Sequence, residues 1–166
     1  MEIDTAIPSM KVHLSPPSAE HWRQWAGGLG SLICGRTLFD VAGGWGGTHN
    51  MGVPVVVMTH EVPTDWVEEH PDAPFHFVTD GVEAAAAKAR ELAGDRVVCV
   101  SAGTVARQCL DAGVLDEVTV DLVPVVMGKG RPYFGSLGME DAPLGDPDYC
   151  VQGDRVTHLK FPVIRG

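Results

Sequence analysis

Short apolar runs alternate with helix-like segments along most of this 166-residue chain. Pro54 to Met58, Phe75 to Val78 and Val97 to Val100 are rich in β-branched or aromatic residues, which is typical of strands covered on both faces. Leu32-Ile33-Cys34 is a shorter run of the same kind. Because these runs alternate with helical segments, the pattern predicts an α/β fold with a largely parallel sheet.

Four segments between these runs carry helix signals. Ser18 is a suitable cap for the first, Thr79 or Asp80 for the third, and Gly94 ends the third. In chain order the predicted helices are Ala19 to Ala26, a short one around Leu38-Phe39-Asp40, an alanine-rich one from Val82 to Leu92, and Val105 to Ala112. The glycines of Gly43 to Gly47, around Trp45, predict a flexible loop.

The C-terminal third has a different pattern. A long strand is predicted from Val118 to Val126, and Gly128 to Pro132 cannot continue it. Two further strands flank the Gln152-Gly153-Asp154 turn, and we expect them as antiparallel additions at one edge of the sheet. The front of the chain, residues 1–18, is weakly patterned, so Val12 and Leu14 fit either a short edge strand or a loop.

Composition restricts the classes of function. Twelve basic against 22 acidic residues give a net charge of −10, which disfavours nucleic-acid binding because phosphates would be repelled. No apolar run approaches the length of a membrane span, and the acidic start lacks the features of a signal peptide. We therefore expect one domain over residues 1–166, in the cytoplasm, with Cys34 and Cys99 as buried free thiols.

Familiar motifs of metal and nucleophilic catalysis are absent from the sequence. The seven histidines lie apart, and His60-Glu61 lacks the second histidine of a zinc-protease helix. The cysteines form no CxxC pair, and neither a GxSxG elbow nor a phosphate-binding GxxxxGK[ST] loop occurs. On spacing alone we reject metal catalysis.

Three predicted strands end in small or hydroxylated residues: Gly35-Arg36-Thr37, Thr59-His60 and Ser101-Ala102-Gly103-Thr104. In open α/β sheets, ligands bind at the carboxyl ends of the strands. Glycine permits close approach of the backbone, a helix N-terminus favours phosphate, and Arg36 is suited to a bidentate phosphate contact. Each turn alone is more simply an ordinary turn, but three at equivalent positions favour a ligand site.

The block from Val97 to Gly135, which includes Ser101 to Thr104 and Gly128-Lys129-Gly130-Arg131-Pro132, resembles the C-terminal reductase domain of riboflavin-biosynthesis enzymes. That domain is a branch of the dihydrofolate reductase-like family. The resemblance implies a three-layer α/β fold, a mostly parallel sheet with antiparallel C-terminal strands, and NADPH as cofactor. The cofactor-binding residues that it implies are Gly35, Arg36, Thr37, Thr59, His60, Ser101, Gly103, Thr104 and Val105.

The resemblance also suggests residues on the substrate side. The family has an acidic pair where this chain has Asp116-Glu117, so Glu117 is a candidate catalytic acid, although a solvated strand start explains it equally well. Trp45 is either a lid residue over a flat substrate ring or a core anchor, and Pro124 belongs to the predicted substrate pocket. Ala102 replaces one of two adjacent family glycines, and its methyl group would crowd the cofactor.

The front of the chain departs from the family. Members normally begin with a Ser-x-Asp-Gly-like strand that lies centrally in the sheet, but Met1 to Leu14 is short and interrupted by proline. The resemblance therefore covers Trp22 to the C-terminus, and Asp4 is only a weak candidate for the acid. Loss of a central strand leaves unpaired backbone groups and a groove, which the N-terminal segment or a partner subunit would have to fill.

The leading hypothesis is an NADPH-dependent reductase of a small heterocyclic or conjugated C=N/C=O substrate, acting as a homodimer that pairs through its C-terminal strands. The alternative is a redox-inactive relative that uses the pocket for cofactor-independent binding or conversion of a small molecule. A third hypothesis is an accessory subunit that completes its sheet with another chain.

Overall fold

The computed structural model describes residues 1–4, 11–135 and 141–165. The strands in these ranges are β1 (Glu2–Asp4), β2 (Lys11–His13), β3 (Leu29–Gly35), β4 (Val55–Met58), β5 (Phe75–Val78), β6 (Val97–Val100), β7 (Glu117–Leu122), β8 (Tyr149–Gln152) and β9 (Thr157–Pro162). The helices are α1 (Pro16–Gly28), α2 (Arg36–Val41), α3 (Thr64–Glu69), α4 (Val82–Ala93) and α5 (Thr104–Asp111).

The centre of the molecule is a parallel sheet with strand order β5-β4-β3-β6. Alternate residues of its strands point to opposite faces, so each face builds its own cluster. Leu32, Cys34 and Val55 pack with aromatic side chains on one face, while Ile33 and Val56 pack against α4 and α5 on the other. The predicted α/β architecture is confirmed, because the apolar runs are parallel strands with helices packed on the sheet.

A second sheet, with order β7-β9-β8, is entirely antiparallel. The antiparallel C-terminal strands are confirmed, but they pair with β7 in a sheet of their own and not at an edge of the parallel sheet. The predicted strand from Val118 to Val126 is too long, however, because β7 ends at Leu122. Pro124 has no N–H to donate to a ladder, and the segment from Leu122 to Met127 is exposed to solvent.

The N-terminal strands do not join either larger sheet. β1 pairs antiparallel with β2, with Ile3 opposite Val12, and these two form a separate ribbon. In the described part of the chain, β6 pairs only with β3 and β7 only with β9, and both strands border one cavity of about 720 Å³. The groove that the missing front strand predicted is therefore present, and β1 does not fill it.

The first helix begins earlier than predicted. Residues Pro16 and Pro17 occupy its first positions, where a missing N–H costs no hydrogen bond, and Ser15 takes the capping position assigned to Ser18. The side chain of Ser18 lies instead against His158. Helix α3 was not predicted, because Thr64–Glu69 is short and has no buried residue to give it an apolar period.

Gly43–Gly47 is a compact turn and not the flexible loop that its composition predicted. Gly44, Trp45 and Gly46 have φ values of 58°, 49° and 60°, so the backbone is left-handed through the turn. A Cβ on Gly44 would lie 2.6 Å from the ring nitrogen of Trp66, which shows how closely the turn packs on that indole. Among the helices of the described ranges, none has the length and apolarity needed to cross a membrane.

Candidate functional site

The carboxyl ends of β3, β4 and β6 lie at one edge, because these strands are parallel neighbours. At this edge β3 passes directly into α2 at Gly35, and β6 passes into α5 through Ser101 to Gly103. A Cβ on Gly35 would lie 3.1 Å from a methyl carbon of Val105. The structure thus brings the first and third predicted turns into contact across the sheet.

The start of α5 offers backbone donors at this edge. Its first residue, Thr104, follows Gly103, whose φ of 100° turns the chain into the helix and whose missing side chain leaves open space. The N–H of Gly103 donates to the carbonyl of Tyr133 at 2.7 Å, and that of Ser101 extends the pairing with Ile33. The backbone N–H groups in the first turn of α5 have no partner within the helix, and such groups favour a bound anion.

Arg36 joins the ends of β3 and β4. Its Nη1 donates to the carbonyl of Glu61 at 3.0 Å and lies 3.5 Å from Oγ1 of Thr59, while its Nε contacts Asp40 at 2.7 Å. Thr59 in turn donates to the same carbonyl of Glu61 at 2.7 Å. Arg36 and Thr59 are thus held together as predicted neighbours, but the guanidinium is already partnered.

A cleft of about 530 Å³ opens beside Arg36, between α2 and the start of α3. Its walls include the indole of Trp66, which is suited to stacking on a flat ring. Asp40 and Asp65 also line this cleft, so its charge is more acidic than basic. A phosphate placed here would compete with Asp40 for Arg36. Thr37 and His60 are exposed at the same edge and do not border the cleft.

The larger cavity separates the free edges of β6 and β7. Val98, Val100 and Val118 contribute apolar walls, and the hydroxyl of Tyr133 donates to the backbone carbonyl of Thr119. Burial raises the pKa of Tyr133, so its hydroxyl keeps its proton at neutral pH. The cavity therefore combines apolar walls with a few polar groups, which is the usual character of a small-molecule site.

Glu117, a predicted catalytic acid, lies on the wall of this cavity. Its carboxylate accepts a hydrogen bond from Nζ of Lys160 at 2.8 Å, and the same ammonium lies 3.4 Å from Asp148. The bond to Glu117 raises the pKa of Lys160. Glu117 thus lies where a substrate in this cavity would contact it, but its carboxylate is already paired with Lys160.

The other predicted substrate-side residues lie elsewhere. Trp45 packs on the core, with its ring stacked 6.1 Å from that of Phe75, and it borders neither cavity. Pro124 is exposed beyond the end of β7. Asp4 ends β1 opposite Lys11, and its side chain lies outside the described residues.

Sequence reasoning missed a polar cluster between α1 and the antiparallel sheet. His158 on β9 places Nδ1 2.7 Å from Asp121 on β7 and Nε2 2.9 Å from the hydroxyl of Ser18 on α1. The ring of His21, one turn along α1 from Ser18, stacks on that of His158 at 4.5 Å. Spacing along the chain could not show this cluster, because Asp121 and His158 are 37 residues apart and Ser18 is 140 residues from His158. The pairing of Asp121 opposite His158 and the docking of α1 bring the members together.

Burial argues against cysteine nucleophiles at this edge. It raises the pKa of Cys34 to about 12 and that of Cys99 to about 11. Because the thiolate is the reactive form, both groups are inert thiols at neutral pH. Both are free, as predicted, although Cys99 is only partly buried.

Comparison with known proteins gives consistent similarities. The family model described as the RibD C-terminal domain matches residues 48–159. A solved structure from Shewanella sp. PV-4, described as a riboflavin biosynthesis protein, is 18% identical, with a TM-score of 0.65 over 87% of this chain and 79% of that one. A pyrimidine reductase-like protein from Corynebacterium diphtheriae is 13% identical, with a TM-score of 0.61 over 90% and 82%.

Acinetobacter baumannii RibD is 12% identical, with a TM-score of 0.62, and the match covers 98% of this chain but 54% of RibD. The chain thus spans about half the length of that protein. No curated protein sequence matches significantly. At these identities the structural similarities show the fold alone.

Proposed function

Since the chain belongs to the RibD C-terminal domain family, we propose that it is an NADPH-dependent reductase of a small heterocyclic or conjugated C=N/C=O substrate. The observation that carries the proposal is the convergence of the turn at Gly35, the pair Arg36–Thr59 and the start of α5 at one sheet edge. A dinucleotide needs backbone donors for its pyrophosphate and a cation for a phosphate monoester, and both kinds of group are present here.

The residues at this edge fit the cofactor in two ways. A Cβ on Gly103 would meet nothing within 4 Å, and the first turn of α5 would offer N–H groups to a phosphate beside the chain at Gly135, which packs against the backbone nitrogen of Thr104. Arg36 and Thr59 lie one strand away and would hold the adenosine end. When bound, NADPH supplies the hydride, and the protein contributes binding and orientation.

The substrate class follows from the family and from the larger cavity. Two of the similar structures carry names that refer to riboflavin biosynthesis or pyrimidine reduction, which supports a flat, nitrogen-containing ring as substrate. A volume of about 720 Å³ is ample for such a molecule. Glu117 and the hydroxyl of Tyr133 are the polar groups that would orient it, and Tyr133 would donate to the substrate in place of the carbonyl of Thr119.

A redox-inactive relative is the second candidate, and the ion pair of Arg36 with Asp40 favours it. If this pair persists in solution, the cation is not free for a phosphate. Ala102, in place of the family glycine, adds to this argument. The cavity between β6 and β7 would then bind or convert a small molecule without nicotinamide.

We also propose a homodimer. Val125, Val126 and Met127 are 60%, 101% and 72% exposed, so an apolar segment continues beyond the end of β7 without cover from the described part of its own chain. A second copy is the simplest cover for such a segment. The four free thiols suit a reducing compartment, so the proposal places the enzyme in the cytoplasm.

The first test is titration of the protein with NADPH and with NADH, followed by quenching of tryptophan fluorescence. Trp66 lines the cleft beside Arg36 and is the expected reporter. We expect saturable binding with a preference for NADPH, and oxidation of NADPH when a suitable heterocycle is added. Absence of binding at millimolar cofactor would reject the reductase and leave the redox-inactive relative.

A pair of matched variants tests the role of Arg36. Asp40→Asn removes the competing carboxylate, and we expect NADPH to bind between about twofold and tenfold tighter, as for release of an exposed ion pair. Glu20→Gln is the control, because Glu20 forms an exposed ion pair with Arg23 within α1, outside the proposed cofactor site. Equal effects of the two substitutions would remove Arg36 from the cofactor site.

A further inference from the structure

We propose that His21, Asp121 and His158 form a binding site for a divalent transition-metal ion, with Zn²⁺ as the expected ion. One ligand atom from each side chain lies within 4.8 Å of those of the other two. The three residues come from α1, β7 and β9, so the site exists only in the folded chain. It is separate from the sheet edge proposed for the cofactor and does not depend on the reductase proposal.

The set of donor atoms matches the chemistry of zinc. Two imidazole nitrogens and one carboxylate oxygen are common zinc ligands, and three protein ligands leave one position for water or a bound molecule. Zinc–nitrogen and zinc–oxygen bonds of about 2.0–2.2 Å place neighbouring ligand atoms roughly 3.3 Å apart. His158 Nδ1 and Asp121 are already closer than that, at 2.7 Å. Small side-chain rotations would therefore bring the set to bonding distance.

The ring of His158 is held in the orientation that a metal ligand needs. Its Nδ1 faces Asp121, and its Nε2 lies 2.9 Å from the hydroxyl oxygen of Ser18, which is 1% exposed. Ser15 donates to that oxygen at 3.1 Å, and the backbone N–H of Asp154 donates to Ser15. Ligating histidines generally donate their second N–H to such a fixed acceptor, which sets the tautomer.

Binding of the ion requires only a shift of protons within this chain of hydrogen bonds. Without metal, Nδ1–H of His158 donates to Asp121 and the Ser18 hydroxyl donates to Nε2. With metal, Nδ1 would bind the ion through its lone pair, and Nε2–H would donate to Ser18.

His21 completes the set from α1. Its ring stacks on that of His158 with centroids 4.5 Å apart, and one of its nitrogens lies within 4.8 Å of the other two ligand atoms. His21 also lines the 720 Å³ cavity, so the open coordination position adjoins that space. Asp121 has a side chain that is 71% exposed, which gives the ion a path from solvent.

Without metal, the contacts of His158 with Asp121 and Ser18 would form a hydrogen-bonded clamp between α1 and the antiparallel sheet. The following experiment distinguishes a metal site from such a clamp. Metal-stripped protein is titrated with Zn²⁺ by calorimetry, and Co²⁺ is used to report coordination through its visible absorption. We expect one equivalent to bind, Co²⁺ bands of a four-coordinate site, and a higher Tm in the presence of zinc.

Two ligand variants, one variant of the residue that positions His158, and two control variants complete the test. His21→Gln and Asp121→Asn should each weaken zinc binding at least about tenfold, since each removes or weakens one ligand of three. Ser18→Ala should weaken it by about 10–100-fold by freeing the ring of His158. His49→Gln and Asp111→Asn remove the same residue types outside the cluster and should leave affinity unchanged.

Two results would overturn the proposal. One is an absence of saturable binding up to about 1 mM zinc, the weak limit of specific affinity. The other is equal binding by wild type and the His21→Gln/Asp121→Asn double variant, which would assign the ion to scattered surface groups. Both ligand substitutions lie on side chains that are not fully buried, so the variants are expected to fold.

Discussion

The two sheets of this protein are built from similar strands but are buried very differently. In the parallel sheet, Val55, Val56 and Val57 of β4 are fully buried, because strands lie on both edges and helices on both faces. In the antiparallel sheet, β7 has only Val118 buried, although its sequence is also rich in β-branched residues. Its outer edge faces the cavity, and its continuation is exposed.

This difference teaches that the neighbours of a strand, more than its own residues, decide its burial. The parallel sheet supplies most of the core, although one edge of β6 is unpaired in the described part of the chain. The antiparallel sheet still has a free edge and an exposed apolar continuation, and the polar cluster and the larger cavity lie beside it. Stability should therefore reside mainly in the first sheet, and partners and ligands mainly at the second.

A matched pair of leucine substitutions should give the largest contrast. Leu29, in β3, is 1% exposed, whereas Leu122, at the end of β7, is 56% exposed. Leu29→Ala should lower the free energy of unfolding by about 2–5 kcal/mol. Leu122→Ala should change it by no more than about 0.5 kcal/mol. Urea denaturation of both variants at low protein concentration makes the comparison, and equal losses would contradict the asymmetry.

Close packing at the amino end of the central strand β3 should give the next largest loss of stability. A Cβ on Gly30 would lie 2.7 Å from that of Arg96 and 2.9 Å from the Cα of Ala93. Gly30→Ala should therefore destabilise by about 1–3 kcal/mol through overpacking. Gly27→Ala is the control, because nothing lies within 4 Å of its Cβ and its helical position should gain about 0.5–1 kcal/mol. Thermal melts of both variants should move in opposite directions.

In the antiparallel half, the main weakness should be the buried histidine. His158→Ala leaves Ser15 as the remaining partner of the buried Ser18 hydroxyl and should lower the free energy of unfolding by about 1–3 kcal/mol, measured with a chelator present. Asp121→Asn keeps an acceptor for Nδ1–H at an exposed position and should cost less than about 1 kcal/mol. If the second substitution cost as much as the first, the clamp would depend on charge.

Acidification should produce the smallest change in stability, and three histidines determine its direction. Burial is the leading cause that lowers the pKa of His21, His49 and His76. The unfolded chain therefore binds more protons than the folded one, and stability present above pH ~6.5 is lost as pH falls below it. Melts between pH 8 and 5 should show this fall, and His21→Gln should reduce it. A Tm that rises on acidification would contradict the shifts.

The sequence was most informative where structure is decided locally. Pro54 to Met58 and Phe75 to Val78 are strands at almost the predicted bounds, because continuous apolar runs need cover on both faces wherever they lie. Errors arose where a neighbour decides the outcome. Ser18 reads as a helix cap, yet its hydroxyl serves His158, and Gly44 reads as a loop residue, yet it packs on Trp66.

The candidate site divides in the same way. Strand-end turns at Gly35, Thr59 and Gly103 could be found from the sequence, because parallel strands place their ends at one edge. The ion pair of Arg36 with Asp40 was within reach, since residues four apart on a helix are neighbours. The cluster of His21, Asp121 and His158 was not, because it requires the register of β7 on β9 and the docking of α1.

The free edge of β6 has a consequence for exchange with solvent hydrogen. Ser101 donates its N–H toward β3, so by strand alternation the N–H of Cys99 points the same way and those of Val98 and Val100 point toward the cavity. Deuterium should therefore replace hydrogen at Val98 and Val100 long before it does so at Cys99 and Ser101. Neighbouring amides of one short strand would thus exchange at two different rates. Unfolding of the whole domain would set the slow rate, and water in the cavity would set the fast one.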